Sequence, residues 1–411
     1  MYNDTVFMTM TEKGQQIKAG RIFSKQAVEN VLKHIREYNK HINAIVTIDE
    51  ERAINQAEEA DRQLNGGETS GLLQGVPITI KDFFKTAGMR STASHEEYKD
   101  NIPEEDATVV KRLKDSGTII LGKTNLPEMA MDCQTVSPLF GRTNNPWKLD
   151  CTSGGSSGGG AAAVASGMSY LDIGNDLMGS VRIPASFCGI YGFVPTERLV
   201  PNTGLLVEKP QYGTLGRMMR PGIMARSIED IRIALEIISG PDYVEADGIA
   251  LNRLSTDTTK QKSLSIAWSG DAGGLAICED TCNAFKNFID RLENDGCNVK
   301  GIDATDFNFA TAREVFLRIF YPVIGSYIPF IKRLLARTFG KAKYLDLDLK
   351  KYLEAENMRS ELISQLDRLF NNYDVLLCPV TATPSFPHIK PDGYAGRTPI
   401  YKKGINVDGK L

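Results

Sequence analysis

Between residues 76 and 378 the chain alternates short apolar, strand-like runs with segments of helical period, and this alternation restricts the fold more than any other feature. The strand-like runs fall at 76–80, 118–121, 168–173, 263–268 and 374–378, with helical patterns at 107–114, 160–166, 228–238, 279–293 and 349–370. Ser227 reads as the N-cap of the 228–238 helix and Gly240 as its stop. Such a chain is expected to form a mixed or parallel sheet with helices on both faces. Ahead of it, 25–38 and 50–64 look helical around a short strand at 42–48, and 65–71 is a linker. No repeat or low-complexity segment interrupts the pattern. The expectation is therefore one α/β domain over 1–411.

Composition removes whole classes of function. The chain has 411 residues, 42% hydrophobic and 24% charged, which excludes disordered and collagen-like chains. With 48 Lys plus Arg against 51 Asp plus Glu there is no field to gather phosphates, so no nucleic-acid partner is expected. Residues 1–20 carry Asp4, Glu12, Lys13 and Lys18 with no apolar block, which reads as neither signal nor transit peptide and points to the cytoplasm. Seven scattered cysteines fit reduced thiols. Cys278 and Cys282 lie four apart on a predicted helix without a second ligand pair and read as packing residues. His34, His41, His95 and His388 are dispersed, and no metal pattern occurs. The apolar run 319–331 is broken by Pro322, Gly325 and Pro329 and followed by Lys332, Arg333, Arg337, Lys341 and Lys343. It reads either as a membrane-surface or substrate-entrance helix or, the favoured reading, as a core helix pair with a solvated basic flank, so membrane contact is not expected.

Three local features stand out. In Gly75-Val76-Pro77-Ile78-Thr79-Ile80-Lys81-Asp82 an apolar strand delivers a lysine. A strand-end lysine is ordinarily a surface residue. Buried, it would lose about 3 pH units from ~10.4, at ~4 kcal/mol, and present a neutral amine that can act as a base. The second feature is Ser153-Gly154-Gly155-Ser156-Ser157-Gly158-Gly159-Gly160-Ala161, which runs into an Ala-rich helix. It fits no phosphate-binding pattern, and although it contains GxSxG, the strand that a nucleophile elbow needs is missing upstream, which demotes His388 as a distant base. The third is Gly174-Asn175-Asp176-Leu177-Met178-Gly179-Ser180-Val181-Arg182-Ile183-Pro184, a strand end turning into a helix start. Ser180 there is a helix-capping serine in the plain reading, or a hydroxyl among converging N–H groups able to hold an oxyanion, worth about 10²–10³ in rate per donor. A hydroxyl nucleophile, a relay and a base together would make a hydrolytic site.

These stretches, with Gly122-Lys123-Thr124-Asn125, Phe140-Gly141-Arg142-Thr143-Asn144-Asn145-Pro146-Trp147, Phe187-Cys188-Gly189, Pro195-Thr196 and Met224-Ala225-Arg226-Ser227-Ile228-Glu229-Asp230, resemble the amidase signature family of serine amidohydrolases in order and spacing. The resemblance is strongest from about 75 to 240 and implies a single α/β domain with a mixed, twisted central sheet covered by helices on both faces: an N-terminal helical segment 1–70, a signature core 71–240 and a remainder 241–411. It implies a catalytic triad of Ser180 as nucleophile, Ser156 as relay on a cis peptide and Lys81 as base. It further implies an oxyanion hole of the main-chain N–H groups of Leu177, Met178, Gly179 and Ser180, bracing by Asp176 and Arg182, and substrate contact at the main chain of Ala130 and at Ser156. The substrate implied is a small-molecule amide, with no metal or organic cofactor.

The chain departs from the family at three places. Met178 stands where glycine is usual, Val194 replaces a frequent lysine, and the family's customary C-terminal strands are not expected after the segment Cys378-Pro379-Val380-Thr381-Ala382-Thr383-Pro384. A sheet edge left uncovered there would favour self-association. Against an amidohydrolase stand two further readings: the glutaminase component of a tRNA-dependent amidotransferase, which Tyr212-Gly213-Thr214-Leu215-Gly216-Arg217 disfavours, and a binding or assembly homologue that Met178 and the short end have deprived of turnover.

Overall fold

The computed structural model describes residues 4–67, 71–206, 218–245, 248–251, 264–271, 273–326, 348–395, 398–401 and 407–408. The chain divides into two compact units, Met1–Leu254 with Ser385–Lys402, and Ser255–Pro384 with Lys403–Leu411. The first contains the signature region and a six-stranded mixed sheet.

The strands of that sheet are β1 (Ile45–Ile48), β2 (Pro77–Lys81), β3 (Ile119–Thr124), β4 (Leu171–Asp176), β5 (Tyr191–Phe193) and β6 (Arg220–Ala225), in the order β1-β3-β2-β4-β6-β5. The three central strands, β3, β2 and β4, run parallel, while β1, β6 and β5 pair antiparallel. Every residue of β2, β3 and β4 is buried, as expected for parallel strands covered by helices. The helices are α1 (Met10–Lys18), α2 (Ser24–Ile42), α3 (Glu50–Asn65), α4 (Thr108–Asp115), α5 (Gly158–Ala165), α6 (Arg182–Cys188) and α7 (Ile228–Ile238). Ser227 caps α7 by accepting from the Asp230 N–H at 3.0 Å, as its sequence position predicts.

Helix α5 positions the site. It has the sequence GGGAAAVA, is buried almost throughout and packs on β2, β4 and β6. A Cβ on Gly160 would lie 2.1 Å from Asp172 Oδ1, so only glycine lets this helix approach β4 so closely. Thr79, Lys81 and Asp172 share this face, and by strand alternation Ile80 and Asp82 face the other way.

The second unit holds a parallel three-stranded sheet of β7 (Ser265–Trp268), β8 (Asn298–Gly301) and β9 (Val375–Leu377), in the order β8-β7-β9, with α8 (Glu279–Asn294), α9 (Phe309–Ser326) and α10 (Leu349–Phe370). Cys278 is the N-cap of α8, accepting from the Thr281 N–H, and Cys282 is exposed, so the cysteine pair is divided between a cap and the surface. The apolar run from 319 enters α9 and then passes, with its basic flank, outside the described residues. Among the described residues no helix is long and apolar enough to cross a membrane, and no group of His, Cys, Asp or Glu is placed to hold a metal ion.

Candidate active site

Lys81 ends β2 fully buried, which overturns the surface position that a strand-end lysine ordinarily takes. Its Nζ donates to Ser156 Oγ at 2.7 Å and to Ser157 Oγ at 2.9 Å. Burial pushes the ammonium down to about 7, against the charges of Asp172 and Asp176, which favour the protonated form. Burial thus favours the free amine at a nitrogen already in contact with a hydroxyl.

Ser156 follows a cis Gly155–Ser156 peptide. A Cβ on Gly155 would stand 2.6 Å from the Asp132 carbonyl oxygen and 2.7 Å from the Cys133 carbonyl carbon, so glycine is required where the 132–134 segment passes the Gly/Ser loop. The same segment follows Met129 and Ala130, both at positive φ. The Ala130 N–H donates to the Pro127 carbonyl at 2.9 Å. His388 bonds Asn144 Oδ1 at 3.1 Å rather than any of these serines, so it is not the base of an elbow.

Ser180 is partly exposed in the turn between β4 and α6. It is not the N-cap of that helix, because α6 begins at Arg182 and Val181 occupies the cap. Its carbonyl accepts from the Ser157 N–H at 3.0 Å, which ties the turn to the Gly/Ser loop. Asp176 organises the turn: Oδ1 accepts from the Gly179 N–H at 2.8 Å, and Oδ2 from the Val181 N–H at 3.0 Å. Arg182 adds Nη2 to Oδ1 at 2.8 Å and Nε to Oδ2 at 3.1 Å. Burial pushes the Asp176 carboxyl upward, but the Arg182 guanidinium and these amides outweigh it, and the group stays below the ordinary carboxylate range.

Of the four N–H groups expected to form an oxyanion hole, that of Gly179 donates to Asp176 Oδ1. The N–H groups of Leu177, Met178 and Ser180 have no acceptor among the described residues. The Met178 side chain is 53% exposed and so projects from the turn toward solvent.

Sequence reasoning missed Ser157 as a second acceptor of Lys81. It also missed the layer beneath, where Asp172 Oδ2 accepts from Thr79 Oγ1 at 2.8 Å and Thr124 Oγ1 at 3.0 Å. On the opposite face lies another buried pair of charges. Lys123 donates to the Phe84 carbonyl and to Thr86 Oγ1 at 2.9 Å, while Asp82 accepts from the Thr92 N–H at 3.1 Å. Period-2 polar residues at Thr79 and Lys81 within an otherwise apolar strand were the available signal.

The Amidase family model matches residues 26–407. The chain therefore belongs to the amidase signature family, whose enzymes act on amides. It is 30% identical over 416 residues to the A component of the glutamyl-tRNA(Gln) amidotransferase of Prochlorococcus marinus, covering 92% of this chain and 83% of that protein. It is 32% identical over 403 residues to an acylamidase of Rhodococcus erythropolis, covering 93% of this chain and 80% of the relative. The fold matches a bacterial aryl acylamidase at a TM-score of 0.81 and 22% identity, over 98% of this chain and 84% of that one.

Proposed function

We propose that the protein hydrolyses a carboxamide to an acid and an amine or ammonia through an acyl-enzyme on Ser180. The observation that carries this reading is the fully buried Lys81 amine held 2.7 Å from the Ser156 hydroxyl. Neutral Lys81 takes the proton of Ser156, and Ser156 takes that of Ser180 as the Ser180 oxygen adds to the amide carbonyl carbon. The carbonyl π electrons move to oxygen, where the unoccupied N–H groups of the Leu177 to Ser180 turn supply donors. Ser156 then delivers its proton to the amide nitrogen and recovers one from the Lys81 ammonium, the oxyanion re-forms the carbonyl, the C–N bond breaks and the amine leaves. Water adds to the acyl-enzyme, its proton passes back along the same hydroxyls, and Ser180 is released with the acid.

The similarity to the amidotransferase component supports a second reading, ammonia release from glutamine for a partner protein. The segment 212–217, which disfavours it in the sequence, lies outside the described residues. A panel of aliphatic, aromatic and amino-acid amides, assayed with the parent and Ser180→Ala, tests both. Turnover of simple amides by the isolated chain, lost in Ser180→Ala, supports the hydrolase. Glutamine as the only substrate, used only with a second protein present, supports the transferase, and no turnover of any amide under either condition rejects both.

A further inference from the structure

Asp172 lies on β4 directly opposite Thr79 of β2, two residues before Lys81. It is fully buried, and its two oxygens are treated differently. Oδ2 accepts from the hydroxyls of Thr79 and Thr124, whereas Oδ1, beside Gly160 of α5, has no hydrogen-bond partner among the described residues. Burial pushes this carboxyl up to about 7, against the two threonine hydroxyls and the charges of Lys81 and Lys123. A carboxylate buried in this way is costly, and packing alone does not call for one.

We propose that Asp172 is a positioning residue for the reaction, acting through Lys81: it holds a buried countercharge next to the base without capturing it. This rests on the Ser180 hydrolase reading above. The Lys81 amine is directed at Ser156 and Ser157 and makes no ion pair with Asp172, so the carboxylate acts through its field while the amine stays on the relay hydroxyl. An ionised Asp172 favours the ammonium, and removing its charge favours the free amine. Asp172 therefore sets how acidic the medium can become before the base is lost.

The other charges around this pair are few. Lys123 comes from β3, and Asp176 from β4, where it is bound by Arg182 of α6 and lies opposite Arg220 of β6. Helix α5 brings none. Neutralising Asp172 thus removes one of the two carboxylates whose charge favours protonated Lys81.

The test is the pH dependence of Ser180 inactivation by a fluorophosphonate, which needs no knowledge of the substrate. In the parent the rate is expected to rise through a limb set by Lys81. In Asp172→Asn that limb should move to lower pH by about one unit, the size of effect one nearby buried charge exerts. Thr124→Val provides an independent variant should Asp172→Asn not fold. It withdraws a donor from the carboxylate, keeps Asp172 protonated to higher pH and moves the limb in the same direction by less. A limb that stays in place in the folded variants overturns the proposal and leaves Asp172 a packing role. A parent that is not labelled at Ser180 at any pH fails the hydrolase reading itself, and the inference with it.

Discussion

Lys81 Nζ meets Ser156 Oγ at 2.7 Å at the end of a strand buried along its whole length. The lysine thereby loses the hydration that keeps an amine protonated. Burial of an ammonium is unfavourable, and such perturbed groups concentrate at functional sites.

The first expectation concerns pH. A lysine held at about 7 is protonated below that value and cannot accept a proton, so kcat/KM should fall roughly tenfold per pH unit below the limb and flatten above it. A pH–rate profile between 5 and 9 checks this. A profile flat to pH 5 would mean that the amine is not the base.

Lys81→Arg keeps the cation and removes the neutral form. We expect kcat to fall by about 10²–10⁴, the usual worth of a general base. Lys81→Met should give a similar loss, and steady-state kinetics on both variants measures it. Activity within threefold of the parent in either would contradict the assignment.

Asp176→Ala leaves the buried Gly179 and Val181 N–H groups without their acceptor. The expected cost is about 2–3 kcal/mol, read as a lower midpoint in urea unfolding. Activity should fall further than stability explains, because the same amides shape the turn that carries Ser180.

Gly155→Ala puts a Cβ 2.6 Å from the Asp132 carbonyl oxygen, a backbone atom that cannot simply swing aside. About 1–3 kcal/mol of destabilisation is expected from such overpacking, measured as a fall in Tm. Met178→Gly touches a side chain 53% exposed and should change stability by less than about 1 kcal/mol. Amidase activity that appears only in Met178→Gly would favour the non-catalytic homologue over the enzyme.

Much of the architecture was legible in the sequence. The βα alternation foretold a mixed or parallel sheet, and the motif resemblance narrowed it to a mixed one and brought out Lys81, Ser156 and Ser180, with burial of Lys81 as the stated condition. Strand β6 escaped because Pro221 and Gly222 read as turn residues, although antiparallel pairing with β4 and β5 gives them a place in the sheet. Helix α1 had a readable signal, since Thr9 and Glu12 form a capping box. Ser157 and Asp172 were not legible, because their roles depend on which residues of β2, β4 and α5 come to face one another, and register is a long-range property. The commitment of the Gly179 amide to Asp176 was hidden for a similar reason: a motif shows which residues form a turn, not which donors its own side chains consume.

The most direct measurement is peptide-level mass spectrometry of the folded protein after reaction with a fluorophosphonate. The account predicts one adduct, on Ser180, formed more slowly in Lys81→Met and absent in Ser180→Ala. An adduct on another residue, or none in the folded parent, would contradict it.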